Sequence, residues 1–119
     1  MRVLVVDDSG IIRSIVVRTL RMMGVRRIVE AEDGQQAWEA FGADPANLVI
    51  TDWYMPRSDG LELTKRIRQV DQNVPIVMVT VVDSEACVVE AVRAGVNDYI
   101  SKPFTRDELQ LKLDRFIPV

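Results

Sequence analysis

Histidine is missing from this sequence altogether. That excludes a histidine-ligated zinc centre and any Ser-His-Asp or Cys-His catalytic arrangement. It also means that the chain cannot be a phosphohistidine donor. Cysteine is almost missing. Cys87 stands alone, so no internal disulfide can form, which suits a reducing compartment. No apolar run approaches the roughly 20 residues needed to cross a membrane. The opening run, residues 1–6, is too short for a signal-peptide core. The sequence therefore reads as cytosolic, without a membrane partner. The two glycine-rich phosphate loops, GxxxxGK[ST] and GxGxxG, are also absent, which removes nucleotide-binding readings. Positive charge is not in excess: 15 Lys and Arg stand against 18 Asp and Glu, a net charge of −3. That balance argues against direct nucleic-acid binding.

What is present fits one domain over residues 1–119. Residues 3–6, 48–50 and 75–79 are continuous, β-branched apolar runs. Strands apolar on both faces predict a parallel sheet covered by helices on each side. Residues 27–31 and 98–101 are weaker strand candidates. Helical stripes fall between them. Ile12, Ile15, Val16, Thr19 and Met23 share a face before Gly24, and Ala37, Trp38 and Phe41 precede Gly42. Leu63, Ile67 and Val70 form a third stripe. Val88, Val89 and Val92 form a fourth, which Asp83 or Ser84 could cap and Gly95 could end. Leu109, Leu113 and Phe116 form the last. Five β-α repeats with short connections predict a doubly wound α/β sheet with five strands and five helices.

Ligands bind outside the carboxyl ends of the strands in such sheets. Asp7 and Asp8 follow the first strand, Asp52 the third, Thr80 the fourth, and Lys102-Pro103 the fifth. Each has an ordinary explanation: Asp8 or Ser9 could cap the first helix, Thr80 could merely end a strand, and Lys102 could be a solvated charge. Their joint placement outweighs those explanations. Three carboxylates in one place repel one another and require a raised pKa or a cation. An all-oxygen acidic site suits Mg²⁺ (or Mn²⁺) better than zinc or copper. A carboxylate beside a hard metal and a lysine is equipped to attack phosphorus. Cys87 and Trp38 read as packing residues, and Trp53 as exposed near the site.

At this point the sequence resembles bacterial response regulator receiver domains, from residue 1 to about residue 116. The marks are Val5-Val6-Asp7-Asp8-Ser9, Glu30-Ala31-Glu32-Asp33-Gly34 and Thr51-Asp52-Trp53-Tyr54-Met55-Pro56. Asp59-Gly60, Thr80 and Lys102-Pro103-Phe104 complete the set. Each is weak alone, and all of them in order are highly specific. The resemblance implies a flavodoxin-like strand order 2-1-3-4-5. It implies Asp52 as phosphoacceptor, Asp8 and Asp52 as direct metal ligands, Asp7 acting through water, and the backbone carbonyl of Tyr54 as a further ligand. Lys102 and Thr80 would contact the phosphoryl group, Tyr99 would swing inward with Thr80, and the bond before Pro103 would be cis. The donor would be a histidine kinase or a histidine phosphotransfer domain. The chain would catalyse only its own phosphorylation and dephosphorylation.

The nearest flavour is that of stand-alone chemotaxis regulators of the CheY type, with a flagellar motor switch or motility protein downstream. A receiver trimmed from a larger regulator with an output domain is the alternative. Tyr54, Val81 and Val82 are bulkier than usual at positions expected to flank the site, which points to altered rates. An Asp-nucleophile phosphohydrolase of the haloacid-dehalogenase type would need Asp-x-Asp after the first strand. A flavodoxin would need a hydroxyl-rich loop there. A pseudo-receiver would lack one of the five key residues. The sequence meets none of these requirements.

Overall fold

A computed structural model describes residues 1–118. Five strands alternate with five helices: β1 (Arg2–Val6), α1 (Gly10–Met22), β2 (Arg27–Ala31), α2 (Gly34–Ala43), β3 (Leu48–Thr51), α3 (Gly60–Val70), β4 (Ile76–Thr80), α4 (Glu85–Ala94), β5 (Asp98–Ser101) and α5 (Arg106–Asp114). All neighbouring strands pair in parallel, in the order β2-β1-β3-β4-β5. The fold class and strand order are those expected from the sequence.

The continuous apolar runs conceal an alternation. Leu4, Val6, Val49, Ile76 and Met78 face one layer, with Ala37, Phe41, Leu63, Ile67 and Ala91 from α2, α3 and α4. Val3, Val5, Leu48, Ile50, Val77 and Val79 face the other layer, with Val16, Leu20, Leu109 and Leu113 from α1 and α5. Successive strand side chains point to opposite faces, so a strand buried on both sides is apolar throughout.

Side-chain caps start the helices. Ser9, Asp33, Asp59, Ser84 and Thr105 each accept a hydrogen bond from a backbone N–H in the first turn. Ser9 therefore caps α1, which leaves Asp8 free for other work. Gly24 and Gly95 follow α1 and α4 with φ of 94° and 116°, a conformation that glycine takes without a Cβ penalty.

Several expected stripes are corrected at their edges. Ile15 is exposed, and Leu20 takes the core position in its place. Val70 is exposed at the end of α3, and Val89 and Val92 face solvent on α4, where Ala91 is the buried residue. These positions lie one step around the helix from the core-facing line, where apolar character alone does not separate core from rim. Trp53, expected near the surface, is 4% exposed and belongs to the core beneath the site.

Gly60 permits the approach of α3 to the site strand. A Cβ there would lie 1.9 Å from the carbonyl oxygen of Asp52. Gly60→Ala should therefore destabilise the fold by about 3 kcal/mol, at the upper end of overpacking costs. Gly42→Ala, where nothing lies within 4 Å, should be neutral or gain up to ~1 kcal/mol of helix propensity. Urea unfolding of both variants checks this, and equal stabilities would refute it.

Candidate functional site

β1 and β3 are neighbours in the sheet, with Val6 opposite Thr51. The residues that follow, Asp7 and Asp52, are therefore brought side by side, and the Asp52 N–H donates to the Val6 carbonyl at 2.9 Å. Asp8 follows Asp7 out of the sheet and is exposed, whereas Asp7 and Asp52 are buried. One carboxylate oxygen from each of the three lies within 4.8 Å of the others. Among the described residues, this is the cluster of acidic groups able to hold a metal ion.

Lys102 reaches this cluster from β5, two strand spacings from β3 and so on the order of 10 Å away along the sheet. Its Nζ donates to Asp7 Oδ2 and to Asp52 Oδ2, each at 2.8 Å. The peptide bond to Pro103 is cis. The remaining oxygens are also held. Asp52 Oδ1 accepts from the Trp53 N–H at 2.6 Å, and Asp7 Oδ1 from the Ser9 N–H at 2.9 Å. Arg13 secures the other side of Asp7: its Nη1 donates to the Asp7 carbonyl at 2.7 Å, while its Nε pairs with Glu30 at 3.2 Å.

The charges do not cancel. Burial pushes the Asp7 carboxyl above its ordinary value, although Lys102 and the Ser9 N–H both favour the anion. Burial alone would push Lys102 down, yet its hydrogen bonds to Asp52 and Asp7 hold it above its ordinary value. A simple ion pair would shift its two partners in opposite directions. Here one ammonium is divided between two carboxylates, so the cation gains fully and Asp7 only in part.

Thr80 ends β4 fully buried, and its hydroxyl oxygen accepts from the Val82 N–H at 3.4 Å. Its hydroxyl makes no hydrogen bond to Asp52 or Lys102, although its backbone carbonyl accepts from the Lys102 N–H at 2.8 Å. Tyr99 is half-buried on β5 and its hydroxyl donates to the Val82 carbonyl. Burial pushes its phenol up to about 12, with Cys87, Asp83 and Asp52 adding to the shift, so it is a donor at neutral pH. Thr80 and Tyr99 thus grip the same residue, Val82, rather than the carboxylates. Val82 packs half-buried against the core, while Tyr54 and Val81 are 62% and 67% exposed. Tyr54 stacks obliquely near Trp53, with ring centroids 6.0 Å apart. The sequence reading missed Arg13 and the close approaches at Gly34 and Gly60. The Asp33-Gly34 and Asp59-Gly60 pairs were visible signals for the latter.

Fold and site together define an acidic, lysine-bridged pocket at the carboxyl edge of a doubly wound sheet. The response regulator receiver domain matches residues 3–114, and the chain belongs to that family of two-component signalling proteins. It is 44% identical over 117 residues to chemotaxis protein CheY1 of Helicobacter pylori, covering 96% of this chain and 94% of that one. It superposes with a TM-score of 0.90 at 26% identity on the CheX-CheY-BeF3-Mg+2 complex from Borrelia burgdorferi, covering 99% of this chain and 90% of that one. It superposes with a TM-score of 0.87 at 34% identity on the receiver domain of NtrX from Brucella abortus, covering 96% of each. Among the described residues no helix is long and apolar enough to cross a membrane.

The raised Asp7 carboxyl carries a sign. The folded chain holds this proton more tightly than the unfolded chain does. Stability is therefore greatest below the ordinary carboxylate range and falls as pH rises through the raised value. At neutral pH the ionised group weakens the metal-free fold. Asp7→Asn should melt at a higher temperature than the parent in EDTA at pH 7, with a smaller difference at pH 4. A melting temperature at pH 7 equal to or below the parent's would refute the destabilisation of the buried Asp7 anion.

Proposed function

We propose that Asp52 accepts a phosphoryl group from a histidine kinase or a histidine phosphotransfer domain, in a reaction that requires Mg²⁺ (or Mn²⁺). One observation carries this reading: a single ammonium shared by Asp52 and Asp7 at 2.8 Å, with the Asp8 carboxylate beside them. The donor set fits a hard cation, since all the available ligand atoms are oxygens and no histidine exists in the chain. Asp8 and Asp52 would hold the metal directly, Asp7 through water, and the backbone carbonyl of Tyr54 would add a ligand. When bound, the cation would offset the negative charge that gathers on the transferring group.

The chain's own groups divide the remaining work. The Asp52 carboxylate forms the new oxygen–phosphorus bond as the nitrogen–phosphorus bond of the donor breaks. The Trp53 N–H fixes Asp52 Oδ1, which orients the carboxylate. Lys102 is already charged and within reach of Asp52, so its N–H groups can turn to the incoming phosphoryl oxygens. Thr80 would exchange its contact with Val82 for one to the phosphoryl group. Because Tyr99 holds the same Val82, its ring would follow into the vacated space. No further substrate is turned over: the chain would catalyse only its own phosphorylation and dephosphorylation.

The similarity to CheY1 favours chemotaxis or motility control, with a downstream protein such as a flagellar motor switch. The BeF3 and Mg²⁺ named with the Borrelia CheY complex support the same chemistry. The likeness to the NtrX receiver domain supports a second setting, a receiver that is one domain of a larger regulator.

Acetyl phosphate with Mg²⁺ should add one phosphoryl group to the chain, stable in acid and released by base or hydroxylamine. The addition should vanish in Asp52→Asn and in EDTA. Stoichiometric labelling of Asp52→Asn would refute the assignment.

The lifetime of that group should depend on Tyr54. Its side chain lies two residues after Asp52 and is largely solvent-exposed, so it can be replaced without disturbing the core. Val82 offers no hydrogen bond to an attacking water, and Val81 adds bulk in the same segment. A polar side chain at position 54 that orients water by about 1.4 kcal/mol would speed hydrolysis roughly tenfold. Tyr54→Asn should therefore release phosphate faster than the parent. An unchanged rate would show that the tyrosine does not limit access of water.

A further inference from the structure

Two of the sequence marks, Asp33-Gly34 and Asp59-Gly60, touch neither the carboxylates nor Lys102. They meet instead around the segment that joins β3 to α3, residues 52–59. Gly60 binds one end of it: its N–H donates to the Trp53 carbonyl at 2.7 Å. Gly34, the first residue of α2, binds the other end, and its N–H donates to the Ser58 carbonyl at 2.9 Å. The approach at Gly34 is too close for any side chain. A Cβ there would lie 2.2 Å from the Ser58 carbonyl oxygen and 2.9 Å from the Ser58 Cβ.

The segment is bent to make this contact. Arg57 has φ of 71°, in the left-handed region, and its Nε lies 3.9 Å from Asp33 Oδ2. Ser58 is buried, and its hydroxyl has no hydrogen-bond partner among the described residues. Leaving a hydroxyl unsatisfied costs about 1–3 kcal/mol. Such strain is retained where the surroundings force a geometry that a function uses. Tyr54, whose backbone carbonyl belongs to the proposed metal set, lies between the two anchors.

We infer that Gly34 is a positioning residue for the metal site: its contact with Ser58 holds the 52–59 segment where the Tyr54 carbonyl can serve as a ligand. This rests on the phosphoryl-transfer reading above. Gly34 touches no reacting atom and acts only through the segment. The Asp33–Arg57 pair steadies the bend, and Ser58 contributes its carbonyl rather than its hydroxyl.

Calorimetric titration with Mg²⁺ tests this on the parent, Asp8→Ala, Gly34→Ala, Ser58→Ala and Gly42→Ala, each checked for native circular dichroism. Asp8→Ala should lose binding. Gly34→Ala should bind about 10-fold to 100-fold more weakly than the parent, as when a group supporting a metal ligand is removed. Ser58→Ala and Gly42→Ala should keep the parent affinity. A folded Gly34→Ala with parent affinity overturns the inference, as does an equal weakening in Gly42→Ala, which would trace the effect to helix α2 as a whole. Parent affinity in Asp8→Ala would instead overturn the metal reading beneath it. Coupling is reciprocal, so Mg²⁺ should also slow amide exchange at Gly34 in the unaltered protein. That measurement stands even if Gly34→Ala does not fold. Unchanged exchange at Gly34 while the Trp53 amide slows would likewise overturn the inference.

Discussion

The structure depends on one shared cation. Lys102 sits 2.8 Å from each of two buried carboxylates, and a third carboxylate stands beside them without an ammonium of its own. One positive charge cannot satisfy three negative ones. The pocket is therefore left with a deficit that only a further cation or a protonated carboxyl can relieve. This is a poor arrangement for stability alone, because a buried charge that is only partly paired costs more than it returns. It is a good arrangement for a site that must admit a metal ion and then an anionic group in turn. In the proposed reaction Lys102, charged and held, would meet the anion, and the surplus of carboxylate would meet the metal.

That deficit explains how much of the molecule is given to holding the carboxylates in place. Parallel pairing of β1 with β3 sets Asp7 beside Asp52 by register alone. Backbone N–H groups from Ser9 and Trp53 hold one oxygen of each. Arg13 brings a guanidinium to the Asp7 carbonyl, anchored by Glu30 on the edge strand. Gly60 lets α3 close against the Asp52 carbonyl, where any side chain would collide. The repulsion is thus carried by backbone hydrogen bonds and packing on both sides, and the side chains have little freedom to move apart.

The fold was legible because its strands are buried on both faces. Runs such as Val3 to Val6 admit few other readings, and cap candidates at residues 8–9 and 83–84, with Gly24 and Gly95 as ends, bounded the helices. The joint placement of Asp7, Asp8, Asp52 and Lys102 followed from counting the residues after each strand. The errors share a physical origin. Ile15, Val70, Val89 and Val92 are apolar at the rim of a helix face, and hydrophobicity does not say which apolar residue of a pair points inward. Trp53 was misread because the loop after Asp52 turns back under the site instead of leaving the surface. Gly34 was part of a recognised motif, but its use appears only in three dimensions: a missing Cβ has meaning only once the Ser58 carbonyl is seen to occupy its place.

The shallowest packing in the fold lies along α4. Along α4 only Ala91 is fully buried, and Val89 and Val92 are largely exposed. Its carboxyl end is nonetheless fixed. Arg68 donates from Nε and Nη2 to the Gly95 carbonyl at 3.1 and 2.8 Å, and burial pushes that guanidinium somewhat below its ordinary value. Its amino end hangs from residues 81–84, and within them Val82 is gripped by both Thr80 and Tyr99. A helix pinned at one end and shallowly packed along its length is among the least costly elements to shift. Any event that draws the Thr80 hydroxyl away from Val82 removes one of the two contacts on the segment leading into that helix. The adjoining Tyr99 contact would then be free to rearrange, and a change at the sheet edge would pass through Val82 to the exposed face of α4.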